Sequence, residues 1–326
     1  MSDAFKVPVP TNEPIKDYAP NSEEKKSLVS KIDELSSMKV EIPIIIDGKE
    51  IKTGDIGDCV KPYDHAHILG TYHKAGEQQV KMAIESSLDA WNDWSQTSFE
   101  FRAKIFLKMA ELLAGPYRDT INASTMLNMS KNAYQAEIDA ACELIDFWNF
   151  NCYYAEEIYN QQPMYSPKGT KNQTEHRPLE GFVFAVTPFN FTSIAANLPS
   201  APALMGNTAI WKPASSTVYP AHFMMKLFKE AGLPDGVINL LPGSGAVVGN
   251  QILSHPKLAG IHFTGSTGVF QGMWKHIGEN INHYESYPRI VGETGGKDFC
   301  IAHESCNKQA LATAMTRGAF EFQGQK

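Results

Sequence analysis

From Gly181 onward the chain alternates short apolar runs, at residues 182–186, 208–211, 237–241, 260–263 and 289–291, with segments of helical length. Strands separated by helices join through right-handed crossovers, and such crossovers build a mostly parallel sheet with helices on its faces. That rhythm predicts an α/β fold. The first half reads differently. Pro8, Pro10, Pro14 and Pro20 mark an extended arm over residues 1–22 with no core of its own. Leu28, Ile32 and Leu35 recur at helical spacing and predict a short amphipathic helix. Ile42 to Ile51 reads as a hairpin, with Asp47-Gly48 supplying the positive φ values of a tight turn. Helical patterning, for example Val80, Ile84, Leu88 and Trp91, dominates from Glu77 to Glu157, and residues 161–180 read as a polar loop or exposed ribbon.

Composition narrows the partners. At 326 residues the chain has room for two domains. A net charge of −7 argues against nucleic acid, whose phosphates call for clustered Lys and Arg. No apolar run reaches the ~18–20 residues of a membrane helix. The five cysteines, Cys59, Cys142, Cys152, Cys300 and Cys306, form no C-x-x-C pair and read as free thiols. The N-terminus shows neither a signal-peptide core nor the Arg-rich character of a presequence, so the sequons at Asn122, Asn128 and Asn172 read as chance matches.

Several residues carry candidate chemistry, each with a plainer alternative. Gly243, Gly245 and Gly249 form a G-x-G-x-x-x-G run between a strand and a helix. Glycines there admit a pyrophosphate to the helix N-terminus, or simply make a turn. The next strand ends at Phe263-Thr264-Gly265-Ser266, where Ser266 or Thr267 would also cap a helix from Gly268. Two such turns in succession suit a dinucleotide at the carboxyl edge of a parallel sheet. Lys212, at a strand exit, reads as a point charge for ribose or phosphate, or as a solvated lysine. Asn190 reads as a donor to a developing oxyanion, or as the cap of the following helix. Glu293, among Gly292, Gly295 and Gly296, reads as a general base on a partly dry turn, or as a surface glutamate. Phe299-Cys300-Ile301 reads as a buried strand, which argues against Cys300 as a nucleophile. His65 and His67 read as loop histidines.

The order of these motifs is more specific than any one of them. Thr187-Pro188-Phe189-Asn190-Phe191, Trp211-Lys212-Pro213, Glu293-Thr294-Gly295-Gly296-Lys297 and Phe320-Glu321-Phe322-Gln323-Gly324-Gln325-Lys326 together resemble the aldehyde dehydrogenase superfamily from about residue 40 onward. The run from Ala136 to Asn151 is similar to the branch that oxidises L-glutamate γ-semialdehyde in proline breakdown. The resemblance implies NAD as cofactor, held by Thr187, Lys212, Gly245, Gly249, Gly265, Ser266, Thr267, Gly268 and Val269. It implies Asn190 as oxyanion donor, Glu293 as the base for nucleophile or water, and Phe191 against the aliphatic part of the aldehyde. It also implies thiolate attack by a cysteine directly after the Gly-Gln-x run, at position 327, so that this chain is an incomplete and inactive form. The expected division is residues 1–40 as arm and helix, 41–292 as the NAD-binding domain and 293–326 as the start of a second α/β catalytic domain. The apolar Leu311, Met315 and Phe320 would pack on later elements. A homo-oligomer, without nucleic acid or membrane, in the mitochondrial matrix or alternatively the cytoplasm, completes the expectation. Two rivals stand beside it: a non-catalytic dinucleotide-binding fragment and an aldehyde dehydrogenase of other specificity.

Overall fold

The computed structural model describes residues 5–322. In chain order the principal elements are α1 (Glu23–Ser37), β1 (Val40–Ile42), β2 (Ile44–Ile46), β3 (Lys49–Ile51), β4 (Ile56–Lys61), β5 (Asp64–His73), α2 (Glu77–Trp94), α3 (Phe99–Ala114) and α4 (Arg118–Met129). A short α5 (Ala133–Ala136) passes through a π-helical turn, Glu137–Cys142, into α6 (Glu143–Asn160). Then follow β6 (Phe182–Val186), α7 (Thr192–Leu204), β7 (Thr208–Lys212), α8 (Val218–Glu230), β8 (Ile238–Leu240), α9 (Gly245–Leu253), β9 (Leu258–Gly265), α10 (Thr267–Glu279), β10 (Arg289–Thr294) and α11 (Lys308–Phe320).

The main sheet has seven strands in the order β10-β9-β6-β7-β8-β2-β3. Five of them, β10 through β8, pair in parallel, as the apolar runs require. The hairpin β2–β3 turns at Asp47 (φ 53°) and Gly48 (φ 65°) and adds to the edge antiparallel. Residues alternate between two cores. Ala209 and Trp211 face the core built with α3, α4, α6, α7 and α8, whereas Phe182, Phe184, Ile210 and Ile261 face the one beneath α2, α9 and α10. β1, β4 and β5 form a separate three-stranded sheet.

Several expectations are corrected. His65 and His67 lie on β5, not in a loop, and His67 Nε2 meets the Ser36 carbonyl at 2.8 Å. Bulges in the β4–β5 pairing break the simple alternation that marks a strand in sequence. Phe299 and Ile301 are 84% and 87% exposed and Cys300 is exposed, outside any strand. Among the described residues no element covers that apolar triplet. β10 runs through to Thr294, so the sheet continues past position 292. Asn122 and Asn128 are buried, which keeps those two sequons from any glycan in the folded chain.

The arm is docked by backbone donors. Val7, Glu13 and Lys16 N–H groups reach the carboxylates of Glu156, Asp146 and Glu137 at 2.9, 2.8 and 2.8 Å. Buried Arg118 pairs with both Glu13 and Glu137, tying the arm to the π-helical turn. On α11 no residue is buried, and Met315 and Phe320 are 52% and 74% exposed.

Burial on α8 has a consequence for acid stability. It holds His222 at a pKa of about 4, with nearby Lys226 adding to the effect. The unfolded imidazole takes its proton near 6.5, so the unfolded state binds more protons between those limits. Stability is therefore lost as pH falls from about 6.5 to 4, by up to ~3 kcal/mol. His222→Gln is expected to flatten the drop in thermal midpoint between pH 7 and pH 5. A variant that drops as steeply as the parent would assign the acid lability to another group.

Candidate functional site

The parallel strands end together on one side of the sheet. Val186 pairs with Lys212 and with Phe263, and Thr294 with Gly265, so β6, β7, β9 and β10 deliver their C-termini to one edge. The chain order reverses across β6, with β7 on one side and β9 on the other. Crevices outside the carboxyl ends at such a switch point are where open α/β sheets hold ligands. A cleft of about 1240 Å³ opens there. It exceeds the ~300–1,000 Å³ of ordinary small-molecule pockets, as an extended ligand requires.

Most of the anticipated residues meet in it. Thr187, Asn190, Phe191, Lys212, Gly245, Gly249, Gly265, Ser266, Thr267, Val269 and Glu293 all line the cleft, while Gly268 does not. Its Cβ position is open space on α10. Residues 323–326, the end of the final motif, lie outside the described residues. Among the described residues no cysteine lines the cleft.

Lys212 is not the solvated lysine of a strand exit. It is buried, its ammonium donates to the Pro213 carbonyl at 3.0 Å, and burial lowers its pKa. Among the described residues it has no carboxylate partner, so a cation stands at the cleft with its charge uncompensated. Buried charge is costly until paired, and an anionic or polyhydroxyl ligand would supply the missing partner. Gly245, the first residue of α9, sits beside it: a Cβ there would stand 3.8 Å from Lys212 Cε. Thr187 is buried, its N–H donates to the Lys212 carbonyl at 3.2 Å and its hydroxyl accepts from Trp211 Nε1 at 3.0 Å.

Part of the cleft is a slot lined by α9 and α10. Gly245, Gly249 and Leu253 recur at a spacing of four on one helix, as do Val269 and Met273 on the other, and all line the slot. Gly249 is buried, yet an added Cβ would meet nothing within 4 Å, because it points into the cleft. Gly249→Leu is thus expected to leave the thermal midpoint unchanged or slightly raised, since leucine favours helix over glycine by up to ~1 kcal/mol. It should weaken dinucleotide binding at least tenfold, read by titration calorimetry. Undiminished affinity would remove α9 from the binding surface. Ser266 caps α10 through Val269 N–H at 3.4 Å while also lining the cleft, so both of its readings hold.

Asn190 and Glu293 line the same cleft. Asn190 precedes α7 and is not its cap, a place taken by Phe191. Glu293 lies within β10 opposite Thr264, exposed rather than on a partly dry turn. Sequence reasoning missed the buried pair beside Phe191, Lys131 and Asp139, joined at 2.6 Å. Burial raises the Asp139 pKa and lowers that of Lys131. The signal available was a lysine and an aspartate eight apart around a helix start, which by itself says nothing about burial. Pro188, Ile194, Asn250 and His276 also line the cleft. The spacing-of-four pattern on α9 and α10 is what would have brought in its helical neighbours.

Residues 51–326 match the aldehyde dehydrogenase family. The chain is 46% identical over 325 residues to a probable delta-1-pyrroline-5-carboxylate dehydrogenase of Schizosaccharomyces pombe, covering 99% of this chain and 59% of that one. It is 40% identical over 315 residues to the mitochondrial delta-1-pyrroline-5-carboxylate dehydrogenase of Homo sapiens, covering 97% and 56%. The Mycobacterium tuberculosis delta-pyrroline-5-carboxylate dehydrogenase crystallised with NAD superposes with a TM-score of 0.97 at 51% identity, covering all of this chain and 61% of that one. The chain thus spans about three-fifths of the length of these relatives.

Proposed function

Because the chain belongs to the aldehyde dehydrogenase family, we propose that it carries the cofactor cleft and two catalytic groups of an NAD-dependent L-glutamate γ-semialdehyde dehydrogenase, with L-glutamate as the product. The observation that carries this reading is the meeting of Asn190, Glu293 and the uncompensated cation of Lys212 in one cleft at the carboxyl ends of the strands. The names of the relatives supply the substrate, and the structure solved with NAD supplies the cofactor.

The open slot at Gly249 and the buried lysine fit NAD. Thr187 and Lys212 would hold its ribose and phosphates, the α9 and α10 N-termini would face its pyrophosphate, and Val269 would wall the slot. NAD, when bound, supplies the hydride acceptor. Asn190 donates its side-chain N–H to the oxygen that gains charge as the aldehyde carbon becomes tetrahedral. Glu293 takes the proton from the attacking thiol or water, and its exposure on β10 gives that proton a path to solvent. Phe191 lies along the aliphatic chain of the substrate. We assign the thiol to the position after Lys326, residues 293–326 to the start of a catalytic domain, and the active protein to a homo-oligomer in the mitochondrial matrix.

A second reading, a dinucleotide-binding chain without catalysis, is favoured by the lack of a lining cysteine among the described residues. The test is NADH production from glutamate semialdehyde by this chain and by the reading frame continued past codon 326. Turnover only in the longer protein is the expected result. Turnover in the 326-residue chain would return the nucleophile to Cys300, and NAD binding without turnover in either would leave the second reading standing. Higher catalytic efficiency on short aliphatic aldehydes would move the substrate class.

A further inference from the structure

Helix α7 starts without a cap of its own, for Phe191 is its N-cap residue and makes no side-chain hydrogen bond there. The amides of its first turn find their acceptor on another helix. Asp139, fully buried on the π-helical turn and 53 residues away in sequence, accepts from Thr192 N–H at 3.2 Å. It also accepts from Ser193 N–H at 3.2 Å and from the Lys131 ammonium at 2.6 Å, and its Oδ1 stands 2.9 Å from the Ser193 hydroxyl. Lys131 in turn sits 4.0 Å from the centroid of the Phe191 ring. An ordinary helix start uses a Ser, Thr, Asp or Asn at the N-cap itself. Here the cap position is given to an aromatic cleft residue, and a remote carboxylate does the capping.

We propose that Asp139 and Lys131 are a positioning pair, which fixes the turn bearing the Asn190 amide and the Phe191 ring against the cleft. The π-helical turn is part of the device. It adds a residue to the helical turn and so alters which side chains face α7, and π-turns of this kind recur at functional sites. The inference rests on the oxyanion role proposed for Asn190, though the anchoring itself can be tested without it.

Hydrogen exchange of the 326-residue chain, followed by mass spectrometry, reads the anchoring directly. Asp139→Leu is expected to speed exchange over residues 189–195 at least tenfold, with β6, β7 and β9 unchanged and NAD affinity within twofold. Asp139→Asn, which keeps one acceptor oxygen, should restore part of the protection, and it carries the test if the leucine variant does not fold. Unchanged exchange at 189–195, or a uniform loss across the sheet in the asparagine variant, overturns the proposal. Kinetics of the longer, thiol-bearing protein then separate the two claims. With the parent active, Asp139→Asn should lower kcat about tenfold with KM within twofold, whereas Lys131→Met should act mainly on KM through Phe191. An active parent with unaltered variants refutes the pair's role at the site. An inactive parent refutes the semialdehyde reading and leaves the exchange result to decide the anchoring.

Discussion

Asn190→Ala in the thiol-bearing protein is expected to lower kcat for glutamate semialdehyde about 10²-fold, with NAD affinity within twofold. A preorganised donor to a developing oxyanion is worth about 3 kcal/mol, and alanine removes the donor while leaving the turn to water. The size depends on the amide being held before reaction. Asn190 stands between the end of β6 and the N-cap Phe191, on a cleft wall whose backbone is tied down at Thr192 and Ser193. Asn190→Asp should be at least as slow, since it puts a carboxylate where negative charge must grow. A loss below threefold in the alanine variant would take the oxyanion away from this residue.

Gly181→Ala is expected to cost the fold about 3–5 kcal/mol, from a strained backbone and an overpacked contact together. Gly181 enters β6 at φ +120°, a conformation L side chains rarely adopt, and its Cβ would fall 2.1 Å from the Lys257 carbonyl oxygen. That carbonyl accepts from Phe182 N–H at 3.2 Å and cannot retreat without opening the β6–β9 ladder at its first pair. Gly169 is the control, with φ +84° but nothing within 4 Å of an added Cβ, so Gly169→Ala should cost only about 1 kcal/mol. Urea midpoints of the two variants check the pair. Equal small shifts would mean that β6 yields at its entrance.

The layout of the sheet was legible because buried parallel strands are apolar on both faces, and each run from 182 to 291 became a strand within a few residues of its expected place. The hairpin turn was legible for an equally local reason: positive φ selects few residues, and Asp47-Gly48 took the hairpin it announced. The strands around His65 and His67 were not legible, since irregular pairing of β4 with β5 erases the period of two. Phe299-Cys300-Ile301 misled in the opposite direction, because an apolar triplet specifies burial only if some other element covers it.

For the site, the chain's own order of residues singled out candidates that the fold then gathered in one cleft: an amide at 190, a lysine at 212, glycines at 245 and 249, a carboxylate at 293. Those are local facts of residue type and position at strand ends, where turn geometry leaves a readable mark. Only the tertiary structure decided their states. It buried Lys212 without a carboxylate among the described residues, left Glu293 exposed on β10, and set Asp139 against the start of α7. Charge, desolvation and long-range capping depend on what the rest of the chain brings within a few ångströms, and sequence neighbours 53 positions apart carry no sign of it.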